Sequence, residues 1–344
     1  MIKISKQIHF SYTKRPKIIA EISGNHGGSK AKFLRLVNLA CLNGADLIKI
    51  QTYEPKDITT RGKSKHFYIE KGIWKGEHLW DLYNDACTPY KWHKEAFDIA
   101  KKHKKEIFSS PFSKRAVDFL EKLKVKLYKI ASFEITDLKL INYIASKKKP
   151  IIISTGMTNH QEIKRALKEI RKFHNKIILM HCVSSYPTKL EETNLSKITE
   201  LKKKYKNTLI GLSDHTSDII SSVASVPLGV VAIEKHFKLN DNQQTSDSSF
   251  SITPHKLKNL KENTEKIYKS ITSIKQNKDK INIRLRRSIF AKKDLKKDQI
   301  ISEETIHTLR PNIGICASNY FLLLGKKINK KIKKNHPIFF KDIK

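Results

Sequence analysis

The chain has 344 residues, 39% of them hydrophobic and 30% charged, with a formal net charge of +36. That length holds one large domain plus a small one, and that balance excludes a disordered or fibrous chain. The lysines are spread over nearly every helical stretch, as in Lys101 to Lys105 and Lys202 to Lys204, without interleaved aromatic residues. A basic nucleic-acid-binding protein is therefore the rival reading, set aside in favour of an anionic substrate. No apolar run approaches the ~20 residues needed to span a bilayer. Met1 to Phe10 lacks the apolar core of a secretion signal, so no membrane partner is expected. Cys41, Cys87, Cys182 and Cys316 are widely spaced, which suits a reducing cytoplasm.

Taken in order, eight short apolar runs read as buried parallel strands. The first is Lys17 to Ile22, followed by Ser23-Gly-Asn-His26 and by helical spacing from Phe33 to Cys41. The second is Asp46 to Thr52. A long polar and aromatic loop, Glu54 to Leu79, follows with Trp74 in it, and loops of that length are usually functional or lids. A helix is predicted over about Pro89 to Lys102. Further runs are Glu106 to Phe112, Lys126 to Ser132, Pro150 to Gly156, Lys176 to Val183, Thr208 to Leu212 and Val230 to Ile233. Helical patterns of about ten to fifteen residues separate them, which is the mark of repeated βα units. Eight units predict an α/β fold, a (β/α)₈ barrel over residues 1–273, with its chemistry at the C-terminal edge of the strands. A polar linker is expected over 274–284. A small β-rich domain is expected over 285–344, with strand signals at Ser288 to Ala291, Ile300–Ile301, Thr305 to Leu309 and Lys333 to Phe340.

Three constellations sit at the strand ends. His215 and His236 follow neighbouring strands, beside Asp214 and Glu234. Two imidazoles, with water and substrate completing the shell, suit octahedral Mn²⁺ or Mg²⁺ better than a closed zinc site. Lys49, Ser110, Lys129, Ser132, Ser154, Ser184 and Ser213 form a cradle of ammoniums and hydroxyls suited to phosphate or carboxylate oxygens. Glu21, Glu134 and Asp247 are carboxylates able to orient hydroxyls or move protons, unless they only pair with lysines, as Glu234 also could.

Ala20-Glu-Ile-Ser-Gly-Asn-His26, Ile48-Lys-Ile-Gln-Thr52, Tyr128-Lys-Ile-Ala-Ser-Phe-Glu134, Ser154-Thr-Gly-Met157, Gly211-Leu-Ser-Asp-His215 and Ile233-Glu-Lys-His-Phe237 together resemble the sialic-acid synthase family. The C-terminal region, with Leu309-Arg-Pro311 and Leu324-Gly-Lys326, looks like that family's antifreeze-like (SAF) domain. The resemblance implies an enzyme that condenses phosphoenolpyruvate with an amino sugar. Cys87 to His93, Ser132-Phe-Glu134 and Ser246 to Ser251 look like the pseudaminate branch. That branch takes 2,4-diacetamido-2,4,6-trideoxy-L-altrose and gives pseudaminate and phosphate. The alternatives within the family are N-acetylneuraminate and legionaminate synthesis. By the same resemblance, His215 and His236 hold a divalent metal, Mn²⁺ ahead of Mg²⁺ or Co²⁺, and the lysine–serine cradle holds phosphoenolpyruvate. The sialate pattern has Asn where this chain has Ser184. Glu21, Gln51, Glu134, Tyr186 and Asp247 contact the sugar. Arg310 reaches its acetamido group from the other subunit of a domain-swapped homodimer. Glu21 and Glu134 are the catalytic candidates. Phe133 stands where the sialate branch has glycine, which favours a sugar end bearing a methyl over one bearing a hydroxyl.

Overall fold

The computed structural model describes residues 1–273 and 278–344. The chain divides into two compact units, Met1–Thr272 and Ser273–Lys344. In the first, eight parallel strands close a barrel in chain order: β1 Lys17–Glu21, β2 Leu47–Thr52, β3 Glu106–Pro111, β4 Tyr128–Ile130, β5 Ile151–Ser154, β6 Ile177–Cys182, β7 Leu209–Asp214 and β8 Ala232–His236.

Strand alternation sorts the side chains into two cores. Ile18, Ile48, Ile107, Ile151, Ile177 and Ile233 belong to the larger cluster, with helix residues such as Phe33, Leu120, Ile141 and Leu167. Ile19, Leu47, Phe108, Leu127, Ile152, Ile178 and Ala232 form a separate layer on the inner register. Ile2, Ile8 and Phe10 complete that layer; they come from an N-terminal ribbon pairing Ile2–Lys3 with His9–Phe10. Burial of each such side chain stabilises by about 1.5–3 kcal/mol. Two positions further along the same inner register the chemistry changes. Ile19 is followed by Glu21, Leu47 by Lys49, Phe108 by Ser110, Leu127 by Lys129, Ile152 by Ser154 and Ala232 by Glu234. The barrel is thus apolar at its base and polar at its C-terminal edge. At the base Arg15 forks onto Asp46 at 2.8 and 2.7 Å, and Lys261 reaches the same carboxylate at 3.0 Å.

Helices cover the outside. Helix α1 (Lys30–Leu42) is capped by Ser29, whose side chain accepts from Lys32 N. An eight-residue helix, α2 (Leu79–Ala86), begins where the expected Glu54–Leu79 loop ends, in a stretch to which the sequence reading gives no element. None of its residues is fully buried, but Leu79, Leu82, Tyr83 and Ala86 fall on one face at helical spacing. Helix α3 (Tyr90–Lys102) starts after Pro89, as expected. Helices α3, α4 (Lys114–Lys122) and α5 (Leu138–Ser146) are each followed by a lysine with left-handed φ: Lys104 (57°), Lys124 (58°) and Lys148 (56°).

In the second unit the expected linker over 274–284 falls partly outside the described residues, at 274–277; Lys278–Leu285 is 3₁₀-helical. Strands β9 Ser288–Ala291 and β10 Ile306–Leu309 pair antiparallel. The expected strands at Ile300–Ile301 and Lys333 to Phe340 are not continuous. They make isolated bridges, Ile300 with Lys327 and Phe290 with Pro337, and Pro337 has no N–H to extend a ladder. Asn335 turns the chain at φ 64°. Ile289, Leu295, Ile306, Ile315, Ile328 and Ile338 form this unit's own core.

Candidate active site

The C-terminal mouth of the barrel opens into a cavity of about 570 Å³. Its lining includes Lys49, Gln51, Lys129, Ser132, Glu134, Ser154, Ser184, Tyr186, Ser213, His215, His236 and Asp247, so most of the residues singled out from sequence converge. Three do not line it. Glu21 is fully buried, with Lys49 Nζ 2.7 Å from its Oε2. Ser110 is buried, its hydroxyl without a hydrogen-bond partner. Arg310 is an exposed residue of the C-terminal unit.

Glu234, left in the sequence as a simple lysine partner, is the hub of the floor. Its Oε1 accepts from Lys129 Nζ at 3.0 Å and from Ser213 Oγ at 3.2 Å, and stands 3.3 Å from Lys49 Nζ. Burial alone would raise its pKa, but Lys129 and Lys49 outweigh burial and hold the carboxyl down at about 2. Glu21 goes the other way: burial, with the charge on Glu234, lifts it to about 7 against the pull of Lys49. Glu134 is also lifted to about 7 by burial. Two carboxyl groups are therefore poised near neutrality beside one that stays ionised, an arrangement suited to proton transfer.

Beside Ser132 and Ser184 the wall is formed by backbone. A Cβ on Gly156 would come within 2.0 Å of Ser184 Oγ and 2.9 Å of Ser132 Oγ, and Gly156 N donates to Ser132 Oγ at 3.1 Å. Ser110 Oγ, Ser154 Oγ, Glu134 Oε2, Glu234 Oε2 and His236 Nδ1 are buried without a hydrogen-bond partner. Native interiors leave few such atoms, and this concentration is what a polar ligand would satisfy.

The two histidine rings lie 5.4 Å apart, centroid to centroid. His215 Nδ1 donates to the Val183 carbonyl at 2.8 Å, so Nε2 carries the lone pair when the ring is neutral; burial alone would lower its pKa, but Cys182 outweighs burial and shifts it upward. His236 Nδ1 faces Asp247 Oδ2 at 3.6 Å. The carbonyl on His215 Nδ1 is the usual kind of outer partner that orients a ligating imidazole, while Asp247 stands just beyond hydrogen-bond reach of His236. Burial lowers the His236 pKa to about 4, so its ring is neutral as a ligand requires. Among the described residues no cluster of three or more His, Cys, Asp or Glu forms a closed metal site. Two imidazoles alone are an open donor set, which would leave most positions of an ion to water and substrate.

The upper wall comes from the segment that the sequence marked as a loop. Ile69 N donates to the Glu77 carbonyl at 3.0 Å and Gly76 N to the Ile69 carbonyl at 2.8 Å, folding a hairpin whose Gly72 and Gly76 both have φ near 88°. Trp74 anchors it: indole Nε1 donates to the Ser246 carbonyl at 3.0 Å, and the ring packs on Tyr186 and Phe250. Tyr186 in turn lies 4.5 Å from the His215 ring. Ile69, Ile73, Tyr83, Phe112 and Met157 join this apolar wall, and Phe133 lines it while 61% exposed, so it does not pack beneath the rim. The sequence singles out Phe133, Trp74 and Tyr186; it does not single out Ile69, Ile73, Tyr83, Phe112 and Met157, because they come from separate loops and a short helix that only the fold brings together.

The NeuB family model matches residues 36–276 and the SAF domain model residues 286–344. The chain is 39% identical over 336 residues to a pseudaminic acid synthase of Helicobacter pylori, covering 95% of this chain and 98% of that one. It is 37% identical over 333 residues to an N,N'-diacetyllegionaminic acid synthase of Campylobacter jejuni, covering 94% and 99%. Among solved structures, the N-acetylneuraminic acid synthetase of Leptospira borgpetersenii in complex with citrate superposes with a TM-score of 0.73. That match has 29% identity and covers 82% of this chain and 95% of that one.

Proposed function

The chain belongs to the NeuB family and carries a SAF domain after its barrel, and on that premise we propose that it makes pseudaminate. The reaction joins phosphoenolpyruvate and water to 2,4-diacetamido-2,4,6-trideoxy-L-altrose and releases phosphate. One observation carries the reading: a single cavity combines a buried lysine–serine floor, two paired imidazoles and an apolar upper wall.

Lys49 and Lys129, with Ser110, Ser132, Ser154, Ser184 and Ser213, are assigned to the phosphate and carboxylate of phosphoenolpyruvate. Ionised Glu234 keeps both ammoniums in place and limits the charge to be offset before substrate arrives. Gln51, Tyr186 and Asp247 are assigned to the sugar, and Arg310 to its acetamido group from the partner subunit of a swapped homodimer. His215 and His236 would hold Mn²⁺, Mg²⁺ or Co²⁺, which supplies Lewis-acid polarisation of the aldehyde oxygen. The methylene carbon of phosphoenolpyruvate bonds to the aldehyde carbon as the carbonyl π bond breaks, and the aldehyde oxygen takes up a proton to become a hydroxyl. Water then adds at the neighbouring carbon and the C–O bond to phosphate breaks. Glu134, lifted to about 7 by burial at the mouth, is assigned to stabilise the cationic carbon when ionised and to accept the water's proton; Glu21 is assigned to hold a proton beside Lys49. The Trp74 hairpin excludes water from the sugar end. Four free cysteines support a cytoplasmic setting.

The test is phosphate release from phosphoenolpyruvate with each candidate sugar, before and after chelation and with Mn²⁺ restored. The trideoxy sugar should give the highest kcat/KM. Apolar walls reject an added hydroxyl by only about 10²-fold, so side activity on other sugars is expected. Equal or better efficiency with N-acetylmannosamine would move the chain to the sialate branch.

A further inference from the structure

The alternation that turns Ser213, His215, Glu234 and His236 into the barrel turns Asp214 and Lys235 out of it. They do not reach water: the two side chains are 1% and 0% exposed. Strands β7 and β8 pair with Lys235 opposite Asp214, so the charges face each other across the ladder, and each immediately precedes a histidine. Lys235 Nζ lies 3.2 Å from Asp214 Oδ2 and donates to Thr216 Oγ1 at 2.9 Å and to the Thr216 carbonyl. Asp214 Oδ1 accepts from Thr216 N at 2.8 Å, and its Oδ2 from Ser222 Oγ at 2.5 Å. The backbone on both sides of His215 is thereby tied to the residue before His236.

A buried ion pair is weak evidence for stability, since apolar residues of similar volume often do as well. Its distinctive capacity is register. Only one alignment of β7 on β8 brings this ammonium to this carboxylate and this carbonyl, and a slip of one residue would turn every side chain to the other face. None of the chemistry assigned to the cavity uses either group.

We propose that the Asp214–Lys235 pair, clamped onto Thr216, is the positioning element of the two-histidine site, setting the reach between His215 and His236 from behind the barrel wall. The inference rests on the reading that these histidines hold a divalent metal.

The experiment titrates Mn²⁺ into chelator-stripped full-length protein, by calorimetry and by loss of the free-ion magnetic resonance signal. The variants are Lys235→Met and the double variant Asp214→Asn, Lys235→Met, which leaves no unpaired buried charge. Loss of a ligand's own hydrogen-bond partner weakens metal affinity about 10–100-fold; the pair acts through the backbone, and the low end of that range, about tenfold, is expected in the double variant while its unfolding stays cooperative. A double variant that binds Mn²⁺ within threefold of the parent overturns the proposal. One that does not fold assigns the pair to stability and overturns it equally. Parent protein that fails to bind Mn²⁺ would instead refute the two-histidine metal reading itself.

Discussion

Replacing Gly156 with alanine should separate phosphoenolpyruvate binding from everything else this protein does. Gly156 does not adopt left-handed φ, so alanine is admissible on backbone grounds, and it would restrict the unfolded chain by about 0.4–1 kcal/mol. The added methyl has no space: it would stand 2.0 Å from Ser184 Oγ and 2.9 Å from Ser132 Oγ. Overpacking of this kind costs about 1–3 kcal/mol, leaving net destabilisation of at most about 2.6 kcal/mol once the entropic gain is offset. The larger effect falls on the ligand. Ser184 must rotate away, and a hydrogen bond to a charged group contributes about 1.5–3 kcal/mol. The expected result is a rise of about 10- to 100-fold in KM for phosphoenolpyruvate, with KM for the sugar changed less than about threefold, at 1.4 kcal/mol per tenfold. Phosphate release with each substrate varied in turn measures both, and calorimetry with phosphoenolpyruvate alone checks the binding directly. A phosphoenolpyruvate KM within twofold of the parent would refute the placement of the anion between Ser132 and Ser184.

Trp74→Ala removes the hairpin's indole hydrogen bond and its packing on Tyr186; KM for the sugar should rise about tenfold, and trypsin should cut faster after Lys71 or Lys75, from a loss of about 1–2 kcal/mol. With Glu134 titrating at about 7 and required as the carboxylate, kcat/KM should climb as pH rises through 7, and Glu134→Gln should flatten that limb; an unchanged bend in the variant would transfer the titration to Glu21. Asp46→Asn should destabilise the barrel by about 1.5–3 kcal/mol without altering either KM, because it takes the buried carboxylate from Arg15 and Lys261 and leaves them only the more exposed Glu265, 3.4 Å from each. Burial would raise the Asp46 pKa, but Arg15 and Lys261 outweigh it and hold it well below the usual range, so this stability is present above about pH 4 and lost as pH falls. Denaturant melts of parent and variant should therefore converge in acid.

What could be read in the sequence follows from period and burial. The eight strands were legible because each is buried on both faces and reads as an uninterrupted apolar run, and the site was legible because polar residues interrupt those runs at one end. The finer rule, that Glu21, Lys49, Lys129 and Glu234 each stand two residues beyond an apolar residue of the inner layer, needs the closed barrel to separate inside from outside. Glu234 and Lys235 are neighbours of opposite charge in a single motif, and only the pleat assigns one to the floor and the other to the rear wall. The role of Trp74 was not legible because a short hairpin carries no periodic signal, whereas α2 did carry one, in Leu79, Leu82, Tyr83 and Ala86 at helical spacing. Strands in the C-terminal unit were overread because short apolar stretches there bridge at single residues rather than along ladders.

Lys104, Lys124 and Lys148 each hold the left-handed position after a helix, where glycine is the common choice. Lys104 and Lys124 still close the expected double bond, Lys105 N to the Ala100 carbonyl and Val125 N to the Leu120 carbonyl among them. All three side chains are exposed, so nothing but the backbone is at stake. The lysine excess therefore reaches into turn chemistry, and it leaves an untapped reserve of thermal tolerance on the face of the protein remote from catalysis. Changing the three residues to glycine should add about 0.5–1 kcal/mol each, additively at such separated sites, and lift the melting temperature while kcat and both KM values stay where they are.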